Sequence, residues 1–285
     1  MINITIRLLA PLAHGSFDTG DAGNLVQVRR VPVLLGGEKV FVPAVSGNAL
    51  RGRMRRVVFR DLLRVCGIGR DDTAPGEWDA LYAALCNGGH LDSSEQTVKP
   101  DRIRQIRDAV PALSVFGAAL RSWMLPGRCS VGICWPVCAE TAAAGLVTGE
   151  STVIAEDLVH EYGSVRHVDR DRQDPELSGV TPMPVLSEAL VAGTVLQSRI
   201  RFEPEATLVE RAAVAFALDG VASLGAKSSS GLGDVDVIHN NNASDYLRWR
   251  EESAAGSAVV LREMAAAMAG GRSKKKAGKP APDAA

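Results

Sequence analysis

Residues Val42–Arg56 read VPAVSGNALRGRMRR, and this stretch decides how the rest of the chain is read. Arg51, Arg53, Arg55 and Arg56 lie inside it, and Arg60 and Arg64 follow before Cys66. Asp61 is the only acid between Ser46 and Cys66, whereas a surface helix usually mixes its charge signs. Leu50, Met54, Val57, Val58 and Leu62 recur at helical spacing, and Ser46 can cap the N-terminus, so a helix is expected from Ser46 to about Val65. One side of it is apolar and the arginines occupy the rest.

The arginine run contrasts with the chain as a whole. The 285 residues carry a formal charge of −1, with 46% hydrophobic and 23% charged residues, an ordinary globular composition. A nearly neutral protein does not coat nucleic acid by bulk charge, so any polyanion site must be built locally. No apolar run has the length of a membrane span, and none reads as a secretory signal. The five cysteines, an odd number, fit free thiols in a reducing, cytoplasmic compartment.

Working outward, residues 2–9 alternate as a strand, and residues 14–24 (HGSFDTGDAGN) read as a loop. QVRRVPVLL and KVFVPAV flank Gly36-Gly37 as a hairpin. Helices are expected over 77–86 and 101–109, and a strand from 127 until Pro136. Residues 151–185 mix charge, Gly and Pro and read as an excursion from the core. A strand over 193–202, a helix over 207–219, a glycine-serine loop leading into a strand, and a helix over 244–269 complete the order. The tail from Gly270, low in hydrophobics, is expected to be disordered. Helices gathered against a mainly antiparallel sheet give an α+β class.

Five constellations could carry function. In the first, Ser46, Gly47 and Asn48 open a helix whose free N–H groups and dipole attract phosphate, with Arg51, Arg53 and Arg55 extending the positive surface. The plain alternative is a solvated arginine face behind an ordinary cap. In the second, LGAKSSSGLGDV (224–235) sets Lys227, Ser228, Ser229 and Ser230 among glycines, suited to wrapping a phosphate or simply to forming a surface loop. It lacks the spacing of a nucleotide-binding P-loop.

The third is the first loop, where His14, Asp18 and Asp21 could place a divalent metal or satisfy their own backbone. Two carboxylates make a poor metal site, and no catalytic or metal residue is assigned. The fourth, Cys129, Cys134 and Cys138, lacks the paired short spacing of a zinc site and reads as buried thiols. The fifth is the excursion, with Arg166, His167, Arg170 and Arg172 among acids and Leu177, Val180 and Met183 at an apolar tip. Such a tip is a partner contact, a wedge between bases, or a loop with incidental hydrophobes. Aromatics make up only 5% of the chain, which disfavours broad base stacking.

Together these residues resemble the RAMP superfamily, and within it the backbone subunit repeated along CRISPR effector complexes. PAVSGNALRGRMRR is similar to that family's Pro-x-x-Ser-Gly-x-x-Leu-Arg-Gly helix start, and KSSSGLGDV to its late glycine loop. VRHVDRD and SEALVAGT look like the segments that bracket its thumb. HGSFDTGDAGNLVQVRR, FGAAL and PVCAET lean towards the type IV branch, with type III close. The resemblance spans about residues 1–238.

The resemblance implies a modified ferredoxin-like, RNA-recognition-motif-like palm over 1–269, with a helical insertion about 66–112 and a thumb about 155–190. It implies copies stacked head to tail along a guide RNA (crRNA) that pairs with a complementary target nucleic acid beside other effector subunits, with no membrane and no cofactor. Ser46, Gly47, Asn48 and Arg51 would hold phosphates, Lys227 to Ser230 would close the other side, and Met183 would be the wedge. Type III relatives carry a cleaving aspartate in the first loop; Asp21 is the nearest candidate here and Asp18 the next. The departures around them imply a binding subunit rather than an enzyme. Two other readings stay open: an endoribonuclease using His14 or His167 as base or Asp21 with a metal, and an enzyme for a phosphorylated metabolite.

Overall fold

The computed structural model describes residues 1–15, 25–91, 99–121, 123–165 and 184–269. Strand β1 (Ile2–Leu8) turns Ile2, Ile4, Ile6 and Leu8 into the core and Asn3 and Arg7 to solvent, the period-two pattern of a half-buried strand. A two-residue strand β2 (Leu25–Val26) precedes the hairpin β3 (Arg30–Leu35) and β4 (Glu38–Pro43). The hairpin closes with Leu35 opposite Glu38 through Gly36 and Gly37, both at positive φ, the twist that suits a two-residue turn.

Helix α1 (Gly47–Val65) follows, capped by the Ser46 hydroxyl, which accepts the Ala49 N–H at 3.3 Å. It buries Leu50, Met54, Val58, Phe59 and Leu62. Between α1 and the next strand of the main sheet lie α2 (Glu77–Asn87), β5 (Gly89–Leu91), α3 (Pro100–Ala109), α4 (Pro111–Phe116), β6 (Ala118–Arg121) and β7 (Trp123–Leu125). The helices read at 77–86 and 101–109 are present, and the small sheet β5-β6-β7 is an addition. Pro111 starts α4 directly after α3, so a six-residue helix hides behind an ordinary turn signal.

The strand expected from 127 to Pro136 is two strands, β8 (Cys129–Val131) and β9 (Trp135–Pro136), both paired with β12 (Val195–Phe202). The break has a cause: Cys134 leaves β12 to exchange both backbone hydrogen bonds with Val45, at 3.1 and 2.9 Å. That bridge fixes the residue before the Ser46 cap. After α5 (Ala139–Ala143), the charged excursion emerges as a seven-pair antiparallel hairpin, β10 (Val159–Val165) with β11 (Pro184–Leu190). Its expected apolar tip, with Leu177, Val180 and Met183, lies outside the described residues, as does the tail from Gly270.

Helix α6 (Leu208–Asp219) begins with a reciprocal cap, in which Thr207 and Glu210 each accept the other's backbone N–H. Strand β13 (Val235–Ile238) then completes the main sheet in the order β13-β1-β12-β8, with β9 also on β12 and every pair antiparallel. With α1 between β1 and β8 and α6 between β12 and β13, this is the ferredoxin-like β-α-β-β-α-β arrangement. Helix α7 (Ser244–Ala269) closes the helical side, where Asp61, the lone acid of α1, pairs with Arg250 at 2.6 Å and Arg64 at 2.8 Å. Among the described residues, no helix is long and apolar enough to cross a membrane.

Candidate nucleic-acid interface

The end of β1 feeds a short segment, Pro11–Gly15, that ties distant parts together. Leu12 pairs with Leu190 at the base of the β10–β11 hairpin, Ala13 with Ala226 of the glycine-serine loop, and Gly15 with Val28. The Ala226 N–H donates to Ala13 at 2.8 Å, and the Arg29 N–H donates to His14 at 2.8 Å. His14 turns its ring to α1, where Nε2 accepts the Ser46 N–H at 3.2 Å. Burial, and then the Arg29 charge, hold the His14 pKa below its ordinary value. The ring therefore stays neutral, as an acceptor nitrogen requires.

Through this hub the start of α1 and the glycine-serine loop are tied to one short segment. Arg53 links the two directly, its Nη2 donating to the Gly225 carbonyl at 3.1 Å. Gly225 sits at φ +74 and a Cβ there would lie 2.3 Å from the Ala13 carbonyl, so only glycine permits this approach. Beyond it Lys227, at φ 59, sets up a single 3-10 turn, Ser228–Ser230, with all three serines exposed. The Lys227 ammonium donates to the Ser187 hydroxyl on β11 at 2.9 Å, which leaves two of its three N–H donors for a ligand. Asn48, near the start of α1, is exposed, and the Gly47 and Asn48 N–H groups have no partner among the described residues.

Two of the expected phosphate contacts need correction. Arg55 is 5% exposed, and its guanidinium donates to the carbonyls of Phe116 (2.8 Å), Gly117 (2.7 Å), Leu85 (3.2 Å) and Ala84 (3.4 Å). These carbonyls end α4 and α2, where the helix dipole is negative. Burial, and then Arg51, lower the Arg55 pKa to about 10, still charged at neutral pH. Arg55 is thus an interior clamp with no face left for RNA. Gly47 is buried, and its missing Cβ makes room for the chain's own Val131 carbonyl, which a Cβ would meet at 2.1 Å. The close approach expected of a phosphate is made by the loop between β8 and β9.

Arg51 stands between the two cases: half-buried, it also donates to the Phe116 carbonyl, and its Nε is buried without a partner. Arg166, His167 and Met183 lie outside the described residues, as do Asp18 and Asp21. Cys129, Cys134 and Cys138 are buried free thiols; burial pushes Cys129 up to about 11, Cys134 up to about 12, and Cys138 upward. Among the described residues, no group of His, Cys, Asp and Glu could hold a metal ion. His14 as an acceptor, Ser187 under Lys227 and Arg29 beside His14 were not legible as partners, because each contact joins residues far apart in sequence.

No family model matches this sequence, and no curated protein does. Among solved structures, a chain described as "Type IV-B CRISPR Complex" superposes with a TM-score of 0.61 at 23% identity, covering 85% of this chain and 91% of that one. The crystal structure of Thermofilum pendens Csc2 aligns at 0.41 and 15% identity, over 98% of this chain and 90% of that one. The fold is therefore similar to that of a chain from a type IV-B CRISPR complex.

Proposed function

We propose that this protein is a guide-RNA-binding backbone subunit of a CRISPR effector complex. Copies polymerise head to tail along the crRNA and present it for pairing with a complementary target, alongside other effector subunits. The observation that carries this reading is that Ser46, Arg53 and the loop bearing Lys227 are tied together through the Pro11–Gly15 hub, which we read as the wall of one RNA groove. A groove of helix-start N–H groups, serine hydroxyls and two cations suits successive phosphates and ignores base identity. The fold shared with a CRISPR-complex chain supports the same reading. We read it as a binding subunit: among the described residues His14, the histidine beside the start of α1, is already engaged as the acceptor of the Ser46 N–H.

The test is expression beside a repeat array, followed by sizing and sequencing of the retained RNA. Wild-type protein should retain guide-length RNA in assemblies of many copies. The double variant Arg53→Ala/Lys227→Ala should lose affinity about tenfold or more on unrelated guides, with the salt slope reduced by about 1.4 for two lost phosphate contacts. Retention of guide RNA by the double variant at wild-type level would remove the groove from the mechanism. Cleavage of complementary RNA in magnesium, lost on Asp21→Ala, would replace the binding subunit with a nuclease.

A further inference from the structure

The side chains of three arginines have no hydrogen bond or ion pair among the described residues: Arg7, Arg199 and Arg201. All three stand on the outer face of the main sheet, turned away from α1 and α6. Strand alternation puts them there, since Leu196, Ser198 and Ile200 face inward between Gln197, Arg199 and Arg201. Register then assembles the face: Asn3 lies opposite Arg199, Gln197 lies between Thr5 and Trp135, and Ser130 lies opposite Arg201.

Arg199 and Arg201 line an open cleft of about 590 Å³ with Asn3, Thr5 and Trp135. Its outer wall is the Gly145–Thr148 segment, held by Gln197, whose Oε1 accepts from the Thr148 N–H at 2.7 Å and hydroxyl at 2.9 Å, while its Nε2 donates to the Thr148 carbonyl at 3.1 Å. No carboxylate lines the cleft. Among the described strand residues, an acid on this face is Asp236, opposite Arg7 on β13 and outside the cleft.

Most other described arginines of this chain find a carboxylate or a carbonyl. Two unpartnered guanidinium groups about 7 Å apart along one strand, beside an indole and free of acids, complement a chain of anions that carries flat rings. We infer that the outer sheet face is a second binding surface for single-stranded nucleic acid, separate from the groove at the start of α1. Phosphates lie on Arg199 and Arg201, one base stacks on Trp135, and Asn3 meets a base edge. The surface reaches beyond the proposed guide groove and does not depend on it.

The test uses the full chain and a fluorescent oligouridylate of about 12 nucleotides, read by anisotropy with the groove intact and in the Arg53→Ala/Lys227→Ala background. In both backgrounds Arg199→Glu/Arg201→Glu should weaken binding about tenfold or more, with the melting temperature unchanged because both side chains are exposed. Arg199→Gln/Arg201→Gln gives the same reading with a smaller loss if the glutamates disturb folding. Trp135→Leu should weaken binding severalfold while leaving the salt slope intact, since stacking releases no counterions. Unchanged affinity of both double variants in both backgrounds overturns the proposal. So does polyglutamate competing as well as the oligonucleotide at matched charge, which would mark a docking site for an acidic protein segment.

Discussion

Two faces of α1 carry the same residue type to opposite ends. Arg51 and Arg55, four residues apart, share a face that points at the C-terminal carbonyls of α2 and α4. Arg53, two residues from each, points the other way and spans to Gly225. On the first face the cation serves the protein's own helix ends, and on the second it joins the start of α1 to the glycine-serine loop. An arginine run therefore says little by itself. What its guanidinium groups meet depends on which face the tertiary partners occupy, and here the insertion between α1 and β8 claims one face and the glycine-serine loop the other.

The sharpest way to break this contrast is to remove one arginine from each face. Arg55→Ala should destabilise the fold by about 3 kcal/mol or more, because four buried carbonyls lose a charged donor. The thermal midpoint should fall by roughly 6 °C or more, while the folded protein keeps its RNA affinity. Arg53→Ala should do the reverse, changing stability by less than about 1 kcal/mol and weakening RNA binding. Thermal melts and anisotropy on the same two samples decide it. A stable Arg55→Ala protein with poor RNA binding would put both arginines on one functional surface.

The groove face can be sharpened at its glycines. Gly225 and Gly231 have similar positive φ, +74 and +79, yet a Cβ at Gly225 meets the Ala13 carbonyl at 2.3 Å whereas one at Gly231 meets nothing within 4 Å. Gly231→Ala should therefore cost only the backbone strain, about 1 kcal/mol, and leave binding nearly intact. Gly225→Ala must push the loop off the first segment, separating Lys227 from the α1 start, and should lose most of the RNA affinity. Equal behaviour of the two variants would mean that the loop does not need the hub.

How far the sequence foretold this follows from range. The Ser46 cap, the helix behind it, the Gly36-Gly37 turn and the alternation of β1 are local signals, and each appears where the spacing put it. The broken strand at 132–134 was not legible, because its cause is a bridge from Cys134 to Val45, far away in the sequence. The excursion read as irregular since charge and glycine masked the alternation of β10 and β11, whose pairing comes from each other. In the site, the loops themselves were visible as donor-rich segments, but the sorting of Arg55 from Arg53 was not. Helical period alone separates the two faces without saying which one the insertion will cover.

The smallest effect lies at His14, and it tests whether the two loops are coupled through a neutral ring. Its Nε2 accepts the Ser46 N–H, and its pKa is lowered by burial first and by Arg29 second. A histidine with a lowered folded pKa takes up a proton more readily when unfolded. Its contribution is thus intact above the unfolded value, about 6.5, and is lost as pH falls from there towards the folded pKa. Protonation also places an N–H against the Ser46 N–H, loosening the α1 start from the hub. Stability should decline as pH falls from about 6.5 towards the folded pKa, and RNA affinity as pH falls through the folded pKa, each beyond the decline of His14→Gln, whose amide oxygen can accept the same N–H at any pH. Denaturation midpoints and anisotropy at pH 7.5 and 5.5 supply the difference. If wild type and His14→Gln track each other through that range, the His14–Ser46 bond does not hold the groove together, and the coupling must run through the Arg53–Gly225 contact and the Ala13–Ala226 bridge alone.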